Sequence, residues 1–253
     1  MTAVPGDGLS PAGHGAVPVC PRHPGREAYV RCQRCERPVC PECQRPAAVG
    51  VQCVDCVREG ARSVRTARTA LGGRVGDGRP VVTQTLIGLN VVAFALQWLV
   101  GRTFTNQLLF FPPTALSEPW RFLTSAFVHS PSSVFHILFN MYALWLVGPY
   151  LESLLGRLRY VALYLLCAFG GSVGYFVLAN PTGASWGTAV VGASGAVFGL
   201  FGAFVAVNRR LGRDISGIAV VIGLNFALGF VLNGIAWQGH LGGLVTGLLA
   251  GAA

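Results

Sequence analysis

A serine set between glycines, Gly192-Ala193-Ser194-Gly195, and a histidine in Gly239-His240-Leu241-Gly242-Gly243 are the residue types from which an activated nucleophile is built. The hydroxyl is weak until a base takes its proton, and imidazole is the side chain suited to that near neutral pH. His136 and Asn140 stand one helical turn apart, hence on one face, and both carry N–H groups able to steady a developing oxyanion. A second group of reactive types opens the chain: Cys20-x2-His23, Cys32-x2-Cys35, Cys40-x2-Cys43 and Cys53-x2-Cys56. Eight soft ligands in four such pairs match two tetrahedral zinc sites. Taken singly, these signals are weak. A serine in an apolar helix usually bonds its own backbone, whereas a histidine at membrane depth is rarer and points to function.

The elements that carry these residues decide the matter. Only 11% of the 253 residues are charged and 52% are hydrophobic, against roughly 25% charged in soluble domains. Residues 1–80 hold 12 of the 19 basic and 7 of the 10 acidic residues, so a soluble head gives way near residue 80 to a membrane body. The net charge of +9 invites a nucleic-acid reading, yet Arg58, Arg62, Arg65, Arg68, Arg74 and Arg79 directly precede the first apolar span. Such a linker is drawn to anionic lipid at about 1 kcal/mol per charge, and no nucleic-acid partner is expected. The first twenty residues show no apolar core with a cleavage site, so no signal peptide is expected.

Six apolar stretches follow, at 81–100, 134–151, 160–179, 191–207, 215–233 and 236–253. Each is near the ~20 residues that a crossing needs. The last has no charged residue after it, which reads as a clipped carboxyl end or a missing polar tail. Arginines precede span 1 and sit between spans 2 and 3 (Arg157, Arg159) and spans 4 and 5 (Arg209, Arg210, Arg213). By the positive-inside rule the amino terminus is cytoplasmic and spans 2, 4 and 6 begin outside. Arg102 and Arg121, in the long connection 101–133, run against this and are outnumbered.

That topology brings the reactive residues together. Ser194 lies three or four residues into span 4, His240 a similar distance into span 6, and His136 and Asn140 in the first two turns of span 2. All four share one depth just below the outer surface. Gly239, Gly243, Gly247 and Gly251 form a flat stripe on span 6, with Gly195, Gly199 and Gly202 on span 4; small faces let helices approach closely enough for a serine–histidine hydrogen bond. Glu152 and Asp214 sit at inner span ends, roughly 20 Å or more away by helix rise. Glu118, in the outer loop, stays open as a third member, and a Ser–His dyad is the favoured reading.

At this point the chain resembles the rhomboid family of intramembrane serine proteases over about 85–253. The resemblance is carried by Trp120-Arg121, His136-Ile137-Leu138-Phe139-Asn140, Gly192-Ala193-Ser194-Gly195 and Gly239-His240-Leu241-Gly242-Gly243. It implies an all-α, polytopic six-helix transmembrane bundle in which Ser194 is the nucleophile, His240 the base, and His136 and Asn140 part of the oxyanion hole. It further implies that Phe198 packs on the catalytic imidazole, that catalysis needs no cofactor, and that the substrates are single-span membrane proteins cut in or beside the span.

The head pattern resembles B-box-type zinc fingers. That resemblance implies alternating ligand pairs, with Cys20, His23, Cys40 and Cys43 on one Zn²⁺ and Cys32, Cys35, Cys53 and Cys56 on the other. Spacing alone leaves a consecutive pairing open. Disulfides are the rival reading, set aside because a cytoplasmic head keeps its thiols reduced; an iron–sulfur cluster is another. The expected organisation is a disordered 1–18, a zinc module at 19–59, a basic juxtamembrane linker at 60–80 and a protease body at 81–253. The head is expected to dock a cytoplasmic protein partner or to regulate the body. Two other classes compete. A non-catalytic rhomboid-like protein would bind membrane clients without cutting them, and a channel or transporter would spread its polar residues through the membrane depth.

Overall fold

The computed structural model describes residues 17–64, 69–73, 78–231 and 234–253. The chain divides into two compact units between Thr66 and Ala67. Of the stretch 1–18 expected to be disordered, residues 1–16 lie outside the described residues, as do Arg65, Arg68 and Arg74 of the linker.

The first unit is built from three two-stranded antiparallel ladders. Strand β1 (Val19–Cys20) pairs with β2 (His23–Glu27), β3 (Val30–Arg31) with β4 (Pro38–Val39), and β5 (Gln44–Pro46) with β6 (Val51–Cys53). Helix α1 (Val54–Ser63) follows, its first turn capped by the Cys53 sulfur, which accepts the Cys56 amide. The expected module end at residue 59 therefore falls inside a helix. The buried core consists of Cys20, Ala28, Cys32, Val39, Cys40, Cys43, Cys53 and Cys56. Six of these eight are cysteines, so the centre of the unit is ligand rather than hydrocarbon.

The second unit is helical. It contains α2 (Val81–Val100), α3 (Arg102–Leu108), α4 (Arg121–Thr124), α5 (Val134–Leu155), α6 (Arg157–Leu178), α7 (Ser194–Arg210), α8 (Ser216–Val231) and α9 (Trp237–Ala252). Among the described residues, α2, α5 and α6 are long and apolar enough to cross a membrane. Helices α7, α8 and α9 have 17, 16 and 16 residues, about 25 Å each at the usual helical rise.

The start of α7 differs from the sequence reading. The helix begins at Ser194 itself, not three or four residues earlier. Gly192 adopts φ +128°, a conformation side chains disfavour, and so breaks the helical path. Val190 is held extended by paired backbone bonds to Phe110, 2.9 Å and 2.8 Å, while the Gly192 amide donates to Ser125 C=O at 3.0 Å. The connection 101–133 is also more ordered than a long loop. It folds into α3, α4 and 3-10 turns at Pro112–Thr114 and Ser125–Phe127. Buried Arg121 ties it together, donating to Glu118 Oε2 (2.6 Å) and to the carbonyls of Asn106 (2.6 Å) and Leu109 (2.8 Å).

Helices α6, α7 and α9 touch main chain to main chain. A Cβ added at Gly247 would run into the Gly199 carbonyl, and one at Gly243 into the Gly195 carbonyl. Gly174 and Gly242 face each other in the same way: a Cβ on Gly174 would sit 2.5 Å from Gly242 Cα. Gly247→Val is therefore expected to force the helices apart, costing at least the ~1–3 kcal/mol of an overpacked core. A thermal midpoint in detergent reads this. Gly217→Ala, where nothing lies within 4 Å of the added carbon, is the matched control and should shift stability by no more than about 0.5 kcal/mol.

At the opposite end, buried Glu152 of α5 accepts from the amides of Val82 (2.9 Å) and Thr83 (2.8 Å) and from Thr83 Oγ1 (2.9 Å). A carboxylate is thus set on the amino end of α2, where amides lack helical partners. The described part of the linker is seated as well. Thr69 Oγ1 donates to Leu154 C=O at 2.5 Å, as does the Gly73 amide at 3.1 Å, and Arg159 reaches Leu71 C=O at 2.5 Å.

Candidate active site and metal centres

Helices α5, α7 and α9 present their amino ends to one region of the body. Ser194 opens α7 and His240 lies in the first turn of α9. Ser194 Oγ and His240 Nε2 are 2.9 Å apart, within proton-transfer distance. The glycine contacts between α7 and α9 bring the two helix ends this close. Phe198, one turn on from Ser194, stacks on the imidazole with ring centroids 4.2 Å apart and planes within 8°. The other ring nitrogen, His240 Nδ1, is buried without a hydrogen-bond partner among the described residues.

The three carboxylates of the body are engaged elsewhere. Glu118 pairs with Arg121, Glu152 caps α2, and Asp214 accepts from the Ser216 amide (3.0 Å) and hydroxyl (2.6 Å). Glu118, left open by the sequence as a third member, is bonded to Arg121 and does not bond His240 Nδ1.

His136 borders the same space. Its Nδ1 accepts the Ser130 amide at 3.2 Å. A neutral imidazole that accepts at Nδ1 carries its proton on Nε2. That Nε2 lies against Gly192: a Cβ added there would be 2.7 Å from it and 3.7 Å from Ser194 Oγ. Asn140 spends one N–H on the His136 carbonyl, 2.8 Å, within its own helix. A cavity of about 30 Å³ adjoins the pair, bordered by Ser125, Gly171, Ser172, Tyr175 and Gly239. That volume holds a water or two and no large side chain.

Sequence reasoning missed His129, Gln97, Ser125 and Ser172. His129 is fully buried and packs edge-on against His136 at 5.2 Å between centroids. Gln97 was detectable as a glutamine set deep in an apolar span; His129 and the two serines had no periodicity to mark them.

In the head, Cys20, His23, Cys40 and Cys43 form one set and Cys32, Cys35, Cys53 and Cys56 the other, all ligand atoms of a set lying within 4.8 Å of one another. The pairing alternates along the chain; a consecutive pairing does not occur. Tetrahedral zinc sets ligand–ligand separations of about 3.5–3.8 Å. Cys35 Sγ and Cys53 Sγ are 3.8 Å apart, and His23 Nδ1 is 3.3 Å from Cys40 Sγ and 3.5 Å from Cys43 Sγ. All eight cysteines of the chain are free thiols. The electrostatics also fit a cation. The Cys40 amide is the chief influence bringing the Cys20 thiol down to about 6. Burial and the neighbouring Cys20 and Cys40 sulfurs push Cys43 up to about 11. Thiols crowded this way oppose one another's ionisation, and a divalent ion between them removes the conflict. Two structural zinc ions satisfy both sets.

Comparison with known proteins matches a different family to each end of the chain. The Rhomboid domain family matches residues 116–253 and the B-box zinc finger family residues 16–47. The chain is similar to rhomboid protease GluP of Bacillus subtilis, 35% identical over 188 residues, 70% of this chain and 35% of that protein. It is similar to RHOMBOID-like protein 4 of Arabidopsis thaliana, 35% identical over 143 residues, 53% of this chain and 34% of that one. It is also similar to Rhomboid-like protease 1 of Toxoplasma gondii, 32% identical over 143 residues, 53% of this chain and 46% of that one. The chain thus spans about a third of the length of the first two.

Proposed function

The chain belongs to the rhomboid family, and from that premise we propose that it is an intramembrane serine endopeptidase with Ser194 as nucleophile and His240 as general base. As a family member it is a multi-pass membrane protein. In this reading α2, α5, α6, α7, α8 and α9 are the six spans, the amino terminus is cytoplasmic, and the pair faces the outer side.

The observation that carries the proposal is the 2.9 Å bond between Ser194 Oγ and His240 Nε2. His240 takes the hydroxyl proton as Oγ attacks a substrate carbonyl, then returns it to the leaving amine. Phe198 fixes the plane of the ring. With no carboxylate on Nδ1, orientation comes from that stack and from the helix. The negative charge on the carbonyl oxygen is met by His136 Nε2–H, by the remaining N–H of Asn140, and by amides in the first turn of α7, which have no helical carbonyl to bond. The small adjoining cavity supplies water for deacylation and favours a small side chain on the acyl side.

The substrates are single-span membrane proteins. A helix hides its carbonyls in internal hydrogen bonds, so the scissile segment must unwind before attack. The zinc head stays on the cytoplasmic side, where it docks a protein partner or regulates the body. The test is labelling of the full chain in detergent with a fluorophosphonate probe. Mass spectrometry should find the adduct on Ser194, with none on heat-denatured protein. An intact chain that resists the probe is a client-binding protein rather than a protease, and the proposal fails.

A further inference from the structure

One buried contact of the body is unaccounted for by the proposed mechanism. Gln97 is the last polar side chain of α2 and only 3% exposed. Its carboxamide grips a single residue of the outer connection from both sides. Nε2–H donates to His129 C=O at 2.7 Å, and Oε1 accepts the His129 amide at 2.8 Å. The same Nε2 also reaches Thr105 Oγ1 at 3.1 Å. A two-point bond to one residue's main chain fixes the orientation of that peptide as well as its place.

The next peptide is the one that matters. Ser130, directly after His129, donates its amide to His136 Nδ1 at 3.2 Å. His129 itself packs its ring edge-on against His136, and its Nε2 lies 3.5 Å from the Ala193 amide, one residue before Ser194. The chain of contacts therefore runs from Gln97 through the backbone of 129–130 to the ring of His136. If Ser130 N–H moves away, nothing on Nδ1 keeps the proton on Nε2, and the ring is free to take the tautomer that presents a lone pair toward Gly192 and Ser194.

From this geometry we infer that Gln97 is a positioning residue for the reaction: by clamping His129 it holds the Ser130 amide on His136 Nδ1 and keeps His136 a donor toward the oxyanion. The inference rests on the reading of His136 as an oxyanion donor. Gln97 touches no reacting atom and acts only through 129–130.

The experiment compares Gln97→Met, His136→Ala and the double variant in the full chain, reconstituted with a single-span substrate. Met keeps the length of the side chain and removes both hydrogen bonds to His129, together with the one to Thr105. Gln97→Met should lower kcat about tenfold with KM within about twofold, the pattern of a lost transition-state interaction. His136→Ala should lower kcat roughly 10²–10³-fold, and adding Gln97→Met to it should cost no more than about twofold further, because the two act through one donor. Nitrogen-15 NMR of histidine-labelled protein should show His136 protonated on Nε2 in the unaltered chain and a mixture of tautomers in Gln97→Met. If the unaltered chain carries the proton on Nδ1, the inference is overturned without any variant having to fold. Equal losses from Gln97→Met with and without His136, or an unchanged kcat, overturn it too. A fully active His136→Ala would remove the oxyanion reading itself; a crippled His136→Ala beside a normal Gln97→Met removes only the role of Gln97.

Discussion

Ser194→Ala should abolish cleavage of a single-span substrate, with kcat falling by roughly 10³–10⁶-fold while the thermal midpoint stays within a degree or two. The hydroxyl is only partly buried and, among the described residues, its one side-chain bond is to His240, so its removal leaves only His240 Nε2 without a partner. His240→Ala should cost nearly as much, and the double variant hardly more than either alone, since an alcohol without its base and a base without its alcohol are equally inert. The measurement is single-turnover cleavage in proteoliposomes, with probe labelling as a second readout. Cleavage by Ser194→Ala within tenfold of the unaltered rate would place the nucleophile elsewhere.

Stripping zinc should unfold the head completely. Its buried centre is six cysteines with one alanine and one valine, too little hydrocarbon to offset the conformational entropy of some forty-odd ordered residues. Binding free energy is then folding free energy, at about 10–16 kcal/mol for a structural zinc near neutral pH. Elemental analysis of the full chain should give two zinc per molecule. Excess chelator should remove hydrogen-exchange protection from residues 17–64 while leaving α5, α6, α7 and α9 protected. Protection that survives metal removal would sink the assignment. Acid should act in the same direction. Burial opposes the Cys32 thiolate, yet amides of Cys53, Cys35 and Arg34 bring its thiol down to about 6 from 9.0. A thiol depressed in this way offers its thiolate to the metal near neutral pH, and as pH falls protons compete with Zn²⁺ for it, so the stability that the metal supplies is lost.

Much of the body was legible because the bilayer simplifies the code. An apolar run of about 20 residues has few options other than a spanning helix, and every second helix of an up-and-down bundle brings its amino end to the same side. Ser194, His240 and His136 follow from that by topology, without any knowledge of side-chain contacts. The metal ligands were legible from chemistry, since cysteine pairs at this spacing have few uses. The alternation of pairs between the two sites, which is the pairing found, came only from the resemblance to B-box fingers, because it depends on how short ladders fold back, which spacing does not encode. The start of α7 was missed for a related reason. Apolar content extends back through Val190 and Val191, but Gly192 and the bridge to Phe110 divert the chain, and neither leaves a hydropathy signal. Gln97 and His129 make their contact across 32 residues, beyond the reach of any local pattern. The glycines of α6, Gly170, Gly171 and Gly174, acquire their meaning only from their partners on α7 and α9.

Helices α6, α7 and α9 meet at bare peptide planes, with carbonyl oxygens where bulky side chains would otherwise interdigitate. Only small side chains, Cys167 and Thr246, enter the seam beside the glycines, so its width is set chiefly by the backbone. The span between nucleophile and base is thus gauged by the close approach of two backbones, and any substitution that widens the seam should also lengthen the reach of the imidazole to the hydroxyl.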